Sequence, residues 1–386
     1  FLMQTTEKLE KALSVVMAQF DEVNAFFIAK IAAQIQKIGQ MSQSSINQLT
    51  IMMEMPQDVT AIKKKLQTAT GLASAQMAKV YQAAMDDVYT DPRFAAAMES
   101  QPLSDAAQNQ LRHYVRAVSM QTAGDLQNYS NTTAVSDAYK KAVDKAVLAA
   151  SSGLTDYNSA MRRTVQELGY NGLQVQYASG YHRRLDTAVR QNIIDATNQI
   201  AKNGAQIIGD DLGFNAREIS AHAHSAPDHE PVQGRVFLIA EFEKMQSGQP
   251  FVDVEGHVYT AFRRPIGEWN CMHFPVPFDT RYSVRRYTDE QLSAWKAAND
   301  AGVEIGGKHY TIYQATQLMR RIETESRRWK DAANACRLTG DMVGRRDCQK
   351  RINALGQTYS EIVQKSGLPS QRQRMAVEGF KAVKVK

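Results

Sequence analysis

Cysteine is scarce in this chain: Cys271, Cys336 and Cys348 are the only three among 386 residues. So few thiols exclude a disulfide framework and fit a protein that folds in a reducing compartment, or one that does not depend on bridges. No uninterrupted run of roughly 18 apolar residues occurs, so no membrane-spanning segment is expected. Glu7, Lys8, Glu10 and Lys11 interrupt the apolar stretch that a secretion signal needs, and export by that route is not expected either. The chain begins at Phe1 instead of methionine, from which further residues upstream are expected. Also missing are a CxxC or HExxH element and a nucleophile in a recognised elbow or triad. The first 150 residues have no glycine-rich phosphate loop. No internal repeat is present.

What is there is the composition of a globular protein of two or three domains, 43% hydrophobic and 22% charged. The net charge of +6 is unevenly spread. Residues 1–150 carry 14 basic and 14 acidic side chains, 151–316 carry 16 and 19, and 317–386 carry 16 and 7. The C-terminal stretch is therefore the cationic part of an otherwise balanced molecule. Such a surface attracts polyanions, DNA among them, by counterion release, although a solvated charged helix face has the same composition.

Residues 5–50 read as one long helix. Leu9, Leu13, Val16, Phe20, Val23 and Phe27 step by 4, 3, 4, 3, 4, and the seam continues through Ile31, Ile35 and Ile38. A stripe this narrow must be covered by another helix, from the same chain or from a neighbouring copy, so self-association through the N-terminal helix is one expectation. Pro56 is expected to break the pattern, with helices resuming near 58–89, 103–128 and 134–151. Further helices are predicted at 155–168 and 181–208, the latter with Leu185, Val189, Ile193, Ala196, Ile200 and Ile207 on one face. After Gly213 the short β-branched segments AREISAHA, RVFLIAEF, FVDVEGHVYT and YSVRRYT predict a small sheet with loops. Thr288 and Gln291 form a capping-box signature, AGVEIGGKHYT suggests a hairpin, and basic helices follow at 313–338 and 345–366 before a loosely held tail. The expected fold is α+β, mostly α. It has a helical N-terminal region over 1–152, a small central α+β domain over 153–287 and a basic helical region over 288–386.

The central domain concentrates the chemistry, with five of the eight histidines between Ser220 and Phe278. On a strand, His222 and His224 would point to one side, and so would Cys271 and His273, because strand side chains alternate with period two. Facing each other, with His229 or Asp228 from the loop, these pairs would supply the nitrogen and sulfur ligands that tetrahedral zinc prefers. The alternatives are imidazoles hydrogen-bonded as polar clasps of the domain, and an acid–base pair of His229 with Asp228. Gln233 and Gly234 read as a turn into a strand, and Pro275 and Pro277 hold the return segment extended. In the basic region Arg320, Arg321, Arg327, Arg328 and Lys330 are the candidate nucleic-acid contacts.

In order along the chain stand Ser220 and His222, the turn from Asp228 to Gly234 (DHEPVQG), Asn270 to His273 (NCMH), and the arginine-rich helix start from Tyr313 to Gln317. Together, over roughly residues 150–386, these resemble the phage minor capsid protein 2 family. A looser similarity is to Mu F-like head-morphogenesis proteins. One departure is RRPIGEWNC, where the family commonly carries more glycine. The resemblance implies a non-catalytic structural protein of a tailed-phage head, internal to the capsid and near the portal vertex. It would have portal and capsid proteins and packaged DNA as partners, and no membrane. No cofactor is required on this reading, zinc being the one that the ligand chemistry would admit. The alternative from another class is a metal-dependent nuclease or toxin-like effector using His222, His224, His229 and His273.

Overall fold

A computed structural model of the chain describes residues 3–40, 45–152, 157–260, 264–267, 271 and 273–385. The N-terminal helices are α1 (Met3–Gln40), α2 (Ser45–Tyr89), α3 (Pro92–Ser100), α4 (Asp105–Thr132), α5 (Val135–Ser152) and α6 (Tyr157–Asn171). A hairpin of β1 (Gln174–Gln176) and β2 (His182–Arg184) leads into α7 (Leu185–Asp211). There follow β3 (Ala216–Ile219), β4 (Val236–Leu238), α8 (Ile239–Gln246), β5 (Phe251–Val252), β6 (Val258–Tyr259) and β7 (Pro275–Phe278). The chain closes with α9 (Asp289–Ala301), β8 (Val303–Ile305), β9 (Lys308–Tyr310), α10 (Ile312–Leu338) and α11 (Met342–Ser366). The α+β, mostly α class holds.

Two compact units emerge, each drawn from three lengths of chain: 1–10, 77–122 and 193–317 in the first, and 11–76, 123–192 and 318–386 in the second. The sequence suggested three consecutive domains. Long helices account for the difference, because α1, α2, α4, α7 and α10 each have residues in both units.

In the second unit, α1 and α2 run antiparallel, as the ion pairs Lys65–Glu22 at 3.4 Å and Lys30–Asp58 at 2.9 Å show. The heptad seam from Leu13 through Ile35 is buried against its own chain. Of the two covers the spacing allowed, the intramolecular one is realised. Ile38 lies outside the described side chains. By length and composition, Glu7–Lys37 is apolar enough to cross a membrane, contrary to the expectation from uninterrupted runs. Half of its most apolar window is buried within the chain, as in a core helix. Pro56 does not end a helix but sits inside α2, where it is exposed.

Burial of charge organises this unit. Arg184 holds Asp186 through Nε at 3.2 Å and Nη2 at 3.4 Å, reaches Asp331 through Nη2 at 2.5 Å and donates to the Tyr170 carbonyl at 3.1 Å. Arg327 also pairs with Asp186 and lies 3.6 Å from Asp21. Two guanidiniums thus face three carboxylates, all buried. Burial would raise Asp186, but the two arginines outweigh it and hold that carboxyl well below its usual range. The surplus falls on Asp21, which burial pushes up to about 7 despite Arg327.

The predicted loose tail is docked. Met375 and Lys381 accept from Lys330 and Arg345 at 2.6 and 2.8 Å, Val383 donates to Gln349 at 3.1 Å, and Phe380 packs on Ala332, Ala333, Cys336 and Cys348.

In the first unit, β3 is the centre of an antiparallel sheet ordered β4-β3-β7, with Arg217 opposite Phe237 and Pro277. Proline lacks the N–H a central strand needs, so PVPF can serve only as an edge. The sequence predicts an extended return loop at these prolines, and the structure pairs it with β3. The sequence also predicts a strand at YSVRRYT, and the chain there is irregular because Arg281 and Arg285 are drawn into ion pairs with Asp279 and with Glu255 and Asp289. Helix α7 lies so close to β7 that a Cβ on Gly209 would overlap the Pro277 ring. Ile219, Val232, Phe237, Met245, Phe251 and Ile266 form the core beneath the sheet. The β8–β9 hairpin turns on Gly306 and Gly307, both with positive φ, and Thr288 caps α9 by accepting from Gln291 N at 3.2 Å.

The Asp21 carboxyl carries a pH signature. Between about pH 4 and 7 the folded chain keeps a proton that the unfolded chain has lost, so this group makes stability fall as pH rises through that window. Asp21→Asn is expected to remove that decline, by up to about 1.4 kcal/mol per pH unit relative to the parent protein. Urea midpoints of both proteins at pH 4.5 and 7.5 check it.

Candidate functional site

The segment after β3 leaves the sheet. Ser220 exchanges two 2.8 Å bonds with Phe274, its N–H to the Phe274 carbonyl and its hydroxyl from the Phe274 N–H. Beyond it His222 and His224 lie in a loop, so the strand alternation that would have aligned them does not apply. The turn around His229–Val232 then brings the chain back to β4 through Gly234, whose φ of 69° suits glycine and whose N–H bonds Ile219 O at 2.7 Å. Thus the DHEPVQG turn and the Cys-x-His element meet at one end of the sheet. Trp269 and Asn270 lie outside the described residues.

Three of the five candidate ligands converge: His229, Cys271 and His273, whose ligand atoms lie within 4.8 Å of one another. They are 1%, 6% and 2% exposed. Cys271 Sγ is 3.4 Å from His229 Nδ1 and 3.9 Å from His273 Nδ1. His229 Nε2 lies 2.9 Å from the Arg264 carbonyl, which can only accept, so that nitrogen carries the hydrogen. The Gln233 side-chain oxygen accepts from His222 N at 3.2 Å, which orients the amide, and lies 3.4 Å from His273 Nε2. That nitrogen is protonated too, and the Nδ1 of His273 is left bare toward the sulfur.

His222 stacks on His273 with ring centroids 4.5 Å apart, and its buried Nε2 has no hydrogen-bond partner. His224 does not join the group. Asp228 is taken up by Arg264, at 3.1 and 3.3 Å, and comes no nearer than 3.8 Å to His229. An Asp228–His229 acid–base pair is therefore not built.

The electrostatics separate the two inner histidines. Burial, with His222 and His229 nearby, pushes His273 down to about 2, and burial with its histidine neighbours takes His222 down to about 4. Burial would also lower His229, but its hydrogen bond to Cys271 and the Arg264 carbonyl outweigh this and raise it. For Cys271, burial is outweighed by the His229 hydrogen bond and by backbone bonds at Gly267 and His273, and the thiol sits below its usual value. Chemically this set can act as a thiolate–imidazolium pair or as an N,N,S donor set for a soft divalent metal. Beside it lies a cavity of about 330 Å³ lined by Asp195, Asn198, Gln199, Lys202, Asn203, Gly267, Cys271, His273 and Phe274. Gln233 and the Arg264 carbonyl are the functional groups that the sequence reading missed. The Gln-Gly step read as a turn, and a carbonyl contact leaves no trace in residue type.

The basic candidates scatter. Arg327 is inside the buried charge network, and Lys330 is half-buried, lowered by burial and bonded to Met375 O. Arg328 lies over the Tyr170 ring at 5.3 Å and pairs with Glu325, Arg320 bonds Gln371 at 2.7 Å, and Arg321 alone of the five is exposed. Exposed cations stand instead at Arg337, Arg346, Lys350, Arg351, Lys381 and Lys384. Cys336 and Cys348 are buried with the alanines under Phe380 and take no part in the site.

The model of one family, phage minor capsid protein 2, matches residues 5–364. The chain belongs to that family. The match extends well to the N-terminal side of residue 150, so the helical region without recognisable motifs is part of what this minor capsid family shares. No curated protein and no solved structure matches the chain. Membership assigns a structural role in the phage particle among other head proteins.

Gln233→Leu keeps the bulk and removes the shared acceptor. It is expected to lower stability by about 1–3 kcal/mol, the penalty for unpaired buried donors. Urea unfolding reads the loss, and ring ¹⁵N shifts of His273 should change from the pure Nε2–H tautomer to a mixture.

Proposed function

We propose that this minor capsid protein sits inside the head at the portal vertex, with the cationic surface of its C-terminal helices against packaged DNA. The observation that carries the DNA contact is the exposed cation set on the end of α10, on α11 and on the docked tail, within a stretch of 16 basic and 7 acidic side chains. The tail's attachment to Asp21, through Glu378 N at 3.2 Å, and to Gln349 holds Lys381 and Lys384 beside α11. Placement at the portal rests on the family and on symmetry: a minor component cannot fill the repeated shell positions, and the portal vertex is the one unique place in a head. The α1 seam is spent on its own core, so contacts with other head proteins use other faces.

A second reading, a metal-dependent nuclease or toxin-like effector, has one observation in its favour, the convergence of His229, Cys271 and His273 beside a cavity. DNA cleavage by the full chain that disappears in His229→Ala would put it in place of the first.

Binding of duplex DNA by the full chain is expected to weaken linearly in log–log form with salt. Neutralising Arg337, Arg346 and Arg351 to Gln should reduce the slope by about 1 per residue, with little dependence on DNA sequence. Titrations at several salt concentrations measure this. Asymmetric imaging of intact particles is expected to show the protein within the shell at the portal, and density confined to the outer surface would refute the assignment.

A further inference from the structure

The buried His229, Cys271 and His273 cluster goes beyond the head role, which would stand or fall separately. We propose that these residues bind one zinc ion through His229 Nδ1, Cys271 Sγ and His273 Nδ1, fastening the Cys-x-His segment to the turn that precedes β4.

Distances carry the argument. With zinc–sulfur and zinc–nitrogen bonds of about 2.3 and 2.0–2.1 Å, a tetrahedral site separates sulfur from nitrogen by about 3.6 Å. The two separations here, 3.4 and 3.9 Å, bracket that value. The outer nitrogens are arranged as metal sites require. Each histidine donates Nε2–H to a carbonyl oxygen, of Arg264 or of Gln233, which fixes the tautomer and aims a bare or readily deprotonated Nδ1 at the sulfur. A further imidazole borders the set without belonging to its three converging donor atoms. His222 is stacked on His273, and its Nε2 is buried without a partner, an arrangement that costs free energy until something accepts that nitrogen.

A thiolate nucleophile served by His229 would explain one imidazole and leave the second unexplained. Oxygen-preferring cations such as magnesium fit this donor set poorly.

The test uses the full chain, stripped with chelator and titrated first with cobalt(II), then with zinc. One cobalt per chain is expected, with intense tetrahedral d–d bands and a sulfur-to-cobalt charge-transfer band in the near ultraviolet, all displaced by one equivalent of zinc. The charge-transfer band should be absent in Cys271→Ser and retained in Cys336→Ser and His113→Ala. Gln233→Ala, which frees the His273 ring, should weaken zinc by about 10- to 100-fold. Should the site variants fail to fold, the parent protein still decides: zinc should slow alkylation of Cys271, followed by peptide mass spectrometry, and leave Cys336 and Cys348 unaffected. No uptake at micromolar free metal, a band that survives in Cys271→Ser, or alkylation of Cys271 indifferent to zinc would each overturn the proposal.

Discussion

Arg184 gripping Asp186 and Asp331 is the contact on which the second unit most depends. An isolated ion in a protein interior costs several kcal/mol, and five of them are tolerated here only because each is met by opposite charge or a hydrogen bond. The network draws residues from α1, β2, α7 and α10, so elements far apart in sequence are held by one electrostatic requirement. It is also unbalanced, with one carboxylate more than guanidiniums. The group with the weakest pairing, Asp21, bears the consequence.

The same rule that buried polar atoms must be met shapes the end of the sheet in the first unit. Gln233 supplies one oxygen to two donors, the Arg264 carbonyl receives one imidazole, and Ser220 and Phe274 close the seam between β3 and β7. These bonds place two imidazoles and a thiol around a common point. The family motif elements are therefore parts of one construction: the Asp-His-x-x-x-Gln-Gly turn provides a ring, its support and a left-handed glycine, and the Cys-x-His segment provides the other two donors.

Much of this was legible beforehand. The heptad seam, the α7 stripe, the Thr288 cap and the Gly-Gly hairpin each follow from local chemistry, and each appears where its residues stand, except that Ile208 and not Ile207 completes the buried α7 face. Less legible were features set by distant partners. Pro275 and Pro277 predict an extended return loop, and the segment is a strand because an edge position needs no N–H on that side. Arg327 looked like a surface cation by its place in a basic run. Two carboxylates from elsewhere in the chain, Asp21 and Asp186, make it a core residue.

The sequence alone determined the helical character, the cationic bias of the last 70 residues and the concentration of histidine and cysteine between two turns, because periodicity, charge and residue type are local properties. Tertiary structure decided which face of α1 is covered and by what, which cations remain in water, and which three of five candidate ligands face one another. Those outcomes depend on burial and on partners that lie as far apart in the chain as Asp21 and Glu378, and no local pattern encodes such a distance.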